Sequence, residues 1–177
     1  MSRSERDKML SGELYRANAP EIQADRAVTA EWLSRYNMAA PEARRQLLLE
    51  RLGSVGADVE IRPPFFCDYG FNIRIGSGVF LNFNCVILDV VEVTIGDGTQ
   101  IGPSVQIYAA DHPRDPAQRK AGLEFGRPVR IGRNVWIGGA AIILPGVVVG
   151  DDAIIGAGSV VTGDVASGAT VRGNPAR

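Results

Sequence analysis

Hydrophobic and polar positions keep two different rhythms along the chain, and the change falls near Gly53. The first stretch has a helical period. Ser4, with Asp7 three residues later, resembles a capping box ahead of a short helix that Gly12 ends. Pro20 suits the first turn of a second helix, with Ile22, Val28, Trp32, Leu33 and Tyr36 as its candidate buried positions. Pro41 repeats the signal for a third helix. There Leu47, Leu48 and Leu52 form an apolar stripe, and Gly53 is expected as the residue that stops the helix.

Beyond Gly53 the period becomes six. Steps of six from Ile131 reach Ile137, Ile143, Val149, Ile155 and Val161, all aliphatic. Small or β-branched residues stand four places after each start: Val135, Ala141, Val147, Ala153, Ser159 and Val165. The same frame covers Ile95, Ile101 and Ile107, a second covers Ile75, Leu81 and Ile87, and an earlier one Val55, Ile61, Cys67 and Ile73. The frames slip by two residues from Ile73 to Ile75 and from Val93 to Ile95, as expected where a corner carries extra residues.

A period of six is neither α-helical nor simple alternation; it suits a short strand plus a turn, repeated. Three such units close a triangular coil. Aliphatic residues fill its axis, small residues fit the taper, and glycines and pairs such as Asp97-Gly98 supply corners with positive φ. Each coil pairs only with the coils above and below, so the strands are parallel. An ordinary β-sandwich would space its strands by about 8–12 residues and lose this phase. The expectation is a mainly β protein: a parallel β-helix over 54–177 with a short α-helical N-terminal cap over 1–53.

Composition narrows the function classes. The 177 residues suit one domain, and 45% apolar with 22% charged residues support a buried core. A net charge of −1 argues against bulk capture of nucleic acid or an anionic membrane. The single histidine excludes a metal site built from two or three histidines of one chain, and two cysteines, Cys67 and Cys85, are too few for a disulfide scaffold. Met1–Leu10 is charged and lacks an apolar stretch, so a cytoplasmic protein is expected. No apolar run approaches the length of a membrane span.

Besides these slips, the repeat is broken off at about 112–130, in a segment too polar and proline-rich for a core strand. It reads as an excursion from the coil, and loops on rigid scaffolds are where function concentrates. His112, the only histidine, stands at its base. Imidazole is the side chain best matched to proton transfer at neutral pH, so His112 is the candidate general base.

Several segments go further than the repeat. Leu10-Ser11-Gly12-Glu13-Leu14-Tyr15, Cys67-Asp68-Tyr69-Gly70-Phe71-Asn72-Ile73, Asn82-Phe83-Asn84-Cys85 and Ile107-Tyr108-Ala109-Ala110-Asp111-His112-Pro113 are four of them. Asn134-Val135-Trp136-Ile137-Gly138-Gly139 and Gly173-Asn174-Pro175-Ala176 complete the set. The chain thereby resembles the maltose and galactoside O-acetyltransferases and their nodulation-type relatives, a family of hexapeptide-repeat acyltransferases. The resemblance implies a left-handed β-helix, an exception to the right-handed crossover rule. It also implies acetyl transfer from acetyl-CoA to a sugar hydroxyl, with His112 as base and no metal. By resemblance Asn82 and Asp68 contact the acceptor, Trp136 lines the coenzyme tunnel, and Gly139, Ala157, Thr162 and Gly163 border the pantetheine arm. Arg177 would lie near the adenosine phosphates, with Arg172 assisting. Taken alone, Asn82 and Asp68 suit tight turns, Trp136 suits packing or a subunit contact, and the small residues suit the repeat itself. The resemblance further implies a homotrimer with active sites between neighbours.

Three departures bear on these expectations. Ala19 precedes Pro20 where relatives often carry Asp, Gly163 stands where many carry Lys, and relatives usually continue beyond the position of Arg177. Acceptor identity is the property most exposed to the first. Two other functions fit the same sequence: acetylation of a xenobiotic or other non-sugar hydroxyl, and a non-catalytic β-helix scaffold.

Overall fold

Each hexapeptide forms one short strand and one corner, so consecutive strands fall in different sheets. The computed structural model describes residues 3–177, which leaves the first two residues of the charged Met1–Leu10 stretch outside the described residues. A first face stacks Ser54–Val55, Ile73–Ile75, Val93–Ile95, Val129–Ile131 and Val148–Val149. A second stacks Glu60–Ile61, Phe80–Leu81, Gln100–Ile101, Trp136–Ile137, Ile154–Ile155 and Thr170–Val171. The third stacks Phe65–Cys67, Cys85–Leu88, Gln106–Tyr108, Ile142–Ile143 and Val160–Val161. Every pairing within these faces is parallel, and together they wind a left-handed β-solenoid of about six turns.

The aliphatic frame is the register of this stack. On the first face Val55, Ile75, Ile95, Ile131 and Val149 lie directly above one another. Ile61, Leu81, Ile101, Ile137, Ile155 and Val171 do so on the second, and Cys67, Ile87, Ile107, Ile143 and Val161 on the third. The step from first to second face, and from second to third, is always six residues. The step from third back to first takes 8, 8, 24, 6 and 4 residues in successive coils. The two-residue slips are therefore extra length at one edge, and the excursion interrupts that same edge. The last value corrects an expectation: Val165 takes the register position beside Val149 instead of the interior position four places on.

Glycine serves two purposes here. Gly98 has φ +68 with nothing near its missing Cβ, and equivalent positive-φ corner sites hold Asp58, Asn134 and Asp152. Gly96 has ordinary φ, and a Cβ there would stand 2.6 Å from the Gly132 carbonyl carbon of the next coil. Corner conformation alone, the reason anticipated from sequence, explains only the first kind.

The cap begins with α1 (Glu5–Leu10), whose N-cap Ser4 hydroxyl accepts the Asp7 N–H, and Gly12 follows with φ +76. Helix α2 (Pro20–Met38) starts on its proline and buries Ile22, Thr29, Trp32 and Tyr36. Val28 is 54% exposed, because the helix turns Thr29 inward, where its hydroxyl donates to the Tyr69 carbonyl at 3.1 Å. Helix α3 (Pro41–Arg51) buries Leu48 and leads into buried Leu52. Gly53 is not its left-handed stop: Leu52 turns extended at φ −74, ψ 149. Glycine follows because a Cβ at position 53 would meet the Phe71 carbonyl oxygen at 2.4 Å. Tyr36 donates its hydroxyl to the Ile61 carbonyl at 2.7 Å, and Asn37 exchanges hydrogen bonds with the Phe65 main chain, so the cap closes the first coil. Among the described residues no helix is long and apolar enough to cross a membrane.

Candidate active site

The excursion is a structured hairpin. It leaves the coil as Ala110–Asp111 and returns as Leu123–Gly126, and these two strands pair antiparallel. Between them lies α4 (Pro116–Lys120), started by Pro116 and capped by the Asp115 carboxylate, which accepts the Ala117 N–H at 2.9 Å. The returning strand also pairs antiparallel with Tyr15–Arg16 of the cap, Tyr15 opposite Glu124. Gly12 permits the approach, since a Cβ there would lie 2.9 Å from the Gly126 carbonyl oxygen.

His112 is exposed and follows the first strand of the hairpin directly. Its neighbour Asp111 is buried. Asp111 Oδ1 accepts the His112 N–H at 2.8 Å and Arg114 Nη1 at 2.8 Å, and Oδ2 accepts Arg127 Nη2 at 2.8 Å. Burial opposes ionisation of Asp111, but these donors outweigh it and hold the carboxyl below the usual carboxylate range.

A second polar cluster lies where the cap meets the 68–72 corner. Asp89, wholly buried, accepts the N–H groups of Asp68 at 3.1 Å and Tyr69 at 2.9 Å on Oδ1, and of Asn72 at 3.3 Å on Oδ2. Burial pushes the Asp89 carboxyl up to about 7 despite the hydrogen bonds from Tyr69 and Asn72. Burial also raises Asp68, against the pull of Arg26, and Glu124 adds to the rise. Glu124 Oε2 accepts the Tyr15 hydroxyl at 2.9 Å and lies 4.0 Å from Arg26 Nη2. The Arg26 guanidinium sits 5.7 Å over the Tyr69 ring, whose buried hydroxyl has no hydrogen-bond partner among the described residues.

The residues singled out from sequence fall into two rows, one on each side of the third face. Asp68, His112, Thr162 and Gly163 line the edge of variable length. Asn82, Gly139 and Ala157 line the edge of constant length between the second and third faces, where main-chain bonds from Ser104 N–H to the Phe83 carbonyl, Ala140 N–H to Pro103 and Gly158 N–H to Gly139, at 2.8–2.9 Å, carry the stack. Trp136, 58% exposed, stands on the second face just before that edge. Arg177 exchanges main-chain hydrogen bonds with Arg172 at 3.1 Å, which puts two cations at the top of it. Within one chain His112 and Asn82 therefore belong to rows on opposite edges of the third face.

The maltose acetyltransferase hexapeptide capping motif matches residues 8–56, and the six-repeat bacterial transferase hexapeptide motif matches residues 128–163. Nodulation protein L of Rhizobium leguminosarum bv. viciae is 65% identical over 180 residues, spanning 100% of this chain and 95% of that protein. A maltose O-acetyltransferase from Clostridium difficile 630 superposes with a TM-score of 0.97 at 42% identity, covering 100% of this chain and 96% of that one. The chain belongs to the maltose and galactoside O-acetyltransferase family. A galactoside acetyltransferase solved in complex with coenzyme A matches at TM-score 0.93 and 34% identity, over 99% of this chain and 90% of that one. Like its relatives, the chain is an acetyltransferase.

Sequence reasoning missed Asp89, Asp111, Arg26 and Glu124. Asp111 had a signal, an acid directly before the only histidine. Asp89 and Glu124 had none, since their partners lie 17–21 and 109 residues away. Ala19, noted from sequence as a departure from relatives, is buried as the N-cap of α2, and Asp68 and Glu124 are among the carboxylates where the cap meets the coil.

Proposed function

We propose that this chain transfers the acetyl group of acetyl-CoA to a hydroxyl of a saccharide, with His112 as general base. The observation that carries the reading is that the only imidazole is exposed at the foot of a structured excursion, its main chain hydrogen-bonded to a buried carboxylate. The base takes the hydroxyl proton as the acceptor oxygen forms its bond to the thioester carbonyl carbon. When the C–S bond breaks, the imidazolium returns that proton to the leaving thiolate, so free thiol and ester are the products. Acetyl-CoA suits the edge of constant length: Gly139 and Ala157 leave room for an extended thiol arm, exposed Trp136 offers a flat wall, and Arg177 with Arg172 supplies cations for phosphates. Thr162 and Gly163 are also exposed and would border the arm from the other row.

Asn82 and Asp68 are read as acceptor contacts, and their placement on opposite edges of the third face favours a homotrimer in which each site lies between chains. The outward positions of the third face support this, since Phe66, Val86, Ile142 and Val160 interrupt their apolar row only at Gln106. We read residues 1–53 as the cap and 54–177 as the β-helix, and a cytoplasmic setting suits the two free thiols of Cys67 and Cys85.

Thiol release from acetyl-CoA with a panel of mono- and disaccharides tests the function, and non-sugar hydroxyl compounds in the same panel test the competing acceptor class. His112→Ala is expected to lower turnover by about 10²–10⁴ while leaving the melting temperature nearly unchanged, because the side chain is exposed. Full turnover in that variant overturns the mechanism; no thiol release with any hydroxyl compound favours the scaffold.

A further inference from the structure

We propose that Asp111 is a positioning residue for His112, acting through the main chain with Arg114 and Arg127 as its partners. The inference rests on His112 being the base. Three features of the geometry lead to it.

First, both polar main-chain groups of His112 are held by one network. Its N–H donates to Asp111 Oδ1 at 2.8 Å, and its carbonyl accepts Arg114 Nη1 at 2.6 Å. The same guanidinium bonds both Asp111 oxygens, through Nη1 at 2.8 Å and Nη2 at 3.3 Å. Pro113 follows and has no N–H to offer, and a proline also confines the residue before it to extended backbone. The backbone of His112 is therefore fixed on both sides, which leaves only its two side-chain torsions free.

Second, the network ties together both legs of the excursion. Arg127, on the returning leg, donates Nη2 to Asp111 Oδ2 at 2.8 Å, and its own N–H bonds the Ala109 carbonyl at 2.9 Å. Gly146 of the next coil gives the Arg127 side chain a surface to lie on: a Cβ there would be 3.4 Å from Arg127 Cβ. The position of His112 is thus referred to the rigid coil rather than to the tip of the loop.

Third, the carboxylate is shielded while its partners are not. The Asp111 side chain is 10% exposed, against 79% for Arg114 and 52% for Arg127. A buried carboxylate with four donors holds its orientation, and displacement of a reacting group by about 1 Å can cost on the order of 10²-fold in rate.

The test compares Asp111→Asn, Arg114→Met and His112→Ala in the full chain, with acetyl-CoA and with glucose, maltose and methyl β-galactoside as acceptors. Asp111→Asn is expected to lower kcat at least 10-fold with both KM values within about threefold, and Arg114→Met to lower it less. Histidine labelled with ¹⁵N gives a single backbone amide, and its solvent exchange should accelerate in both variants. Arg114 is exposed, so its variant keeps the test valid if Asp111→Asn fails to fold. Wild-type kcat in Arg114→Met and Asp111→Asn, alongside inactive His112→Ala, overturns the positioning role and leaves the base intact. An active His112→Ala overturns the base and the inference together.

Discussion

Asp89 shows how burial and hydrogen bonding compete at one side chain. Three N–H groups favour its charged form, yet complete loss of water is the larger effect and the carboxyl rises to about 7. The folded state then keeps a proton that the unfolded chain has released above about pH 4. Stability contributed by this group is present at low pH and lost as pH rises through 7. Melting temperatures from pH 5 to 8 should accordingly fall for the natural protein relative to Asp89→Asn. Asp89→Ala orphans the N–H groups of Asp68, Tyr69 and Asn72, and should cost about 2–4 kcal/mol in urea titrations. Raised acceptor KM in that variant would follow from loosening the corner that carries Asp68.

The two kinds of glycine make opposite predictions within one corner. At Gly98 an asparagine should cost less than about 1 kcal/mol, since Asn134 already holds φ +52 at the equivalent place. At Gly96 even alanine would press on the main chain of the next coil, and a loss of roughly 3 kcal/mol is expected by denaturant unfolding. Ser4→Ala should remove about 1 kcal/mol from α1, read the same way. The repeat was legible because each strand needs an aliphatic residue at a fixed step, and the helices because Pro20 and Pro41 mark their first turns. The inward turn of Thr29 in place of Val28 was not legible. It depends on the Tyr69 carbonyl, 40 residues away, and no local periodicity reports such a partner. His112 was legible as a candidate because it stands where the repeat is interrupted and inside a motif that carries the family resemblance, whereas the bond from Arg127 to Asp111 required knowing that both legs of the excursion return to one place.

Cap, coil and excursion depend on one another across long stretches of sequence, as the pairing of Tyr15 with Glu124 illustrates. The proposed trimer of 18.9 kDa chains should appear at roughly 57 kDa by light scattering. Val160→Lys, on the apolar row of the third face, should dissociate it and abolish turnover without unfolding the coil. Two of the three coil edges never vary from a step of six, while the remaining one takes 8, 8, 24, 6 and 4 residues. Parallel stacking requires only that each strand meet the one above it, so length added between faces is invisible to the ladder provided the chain returns in register. One edge therefore works as an expansion joint. New segments can be inserted there, and old ones remodelled, while the two fixed edges preserve the stack, which makes this edge the place where such a chain can acquire a new loop without its scaffold being rebuilt.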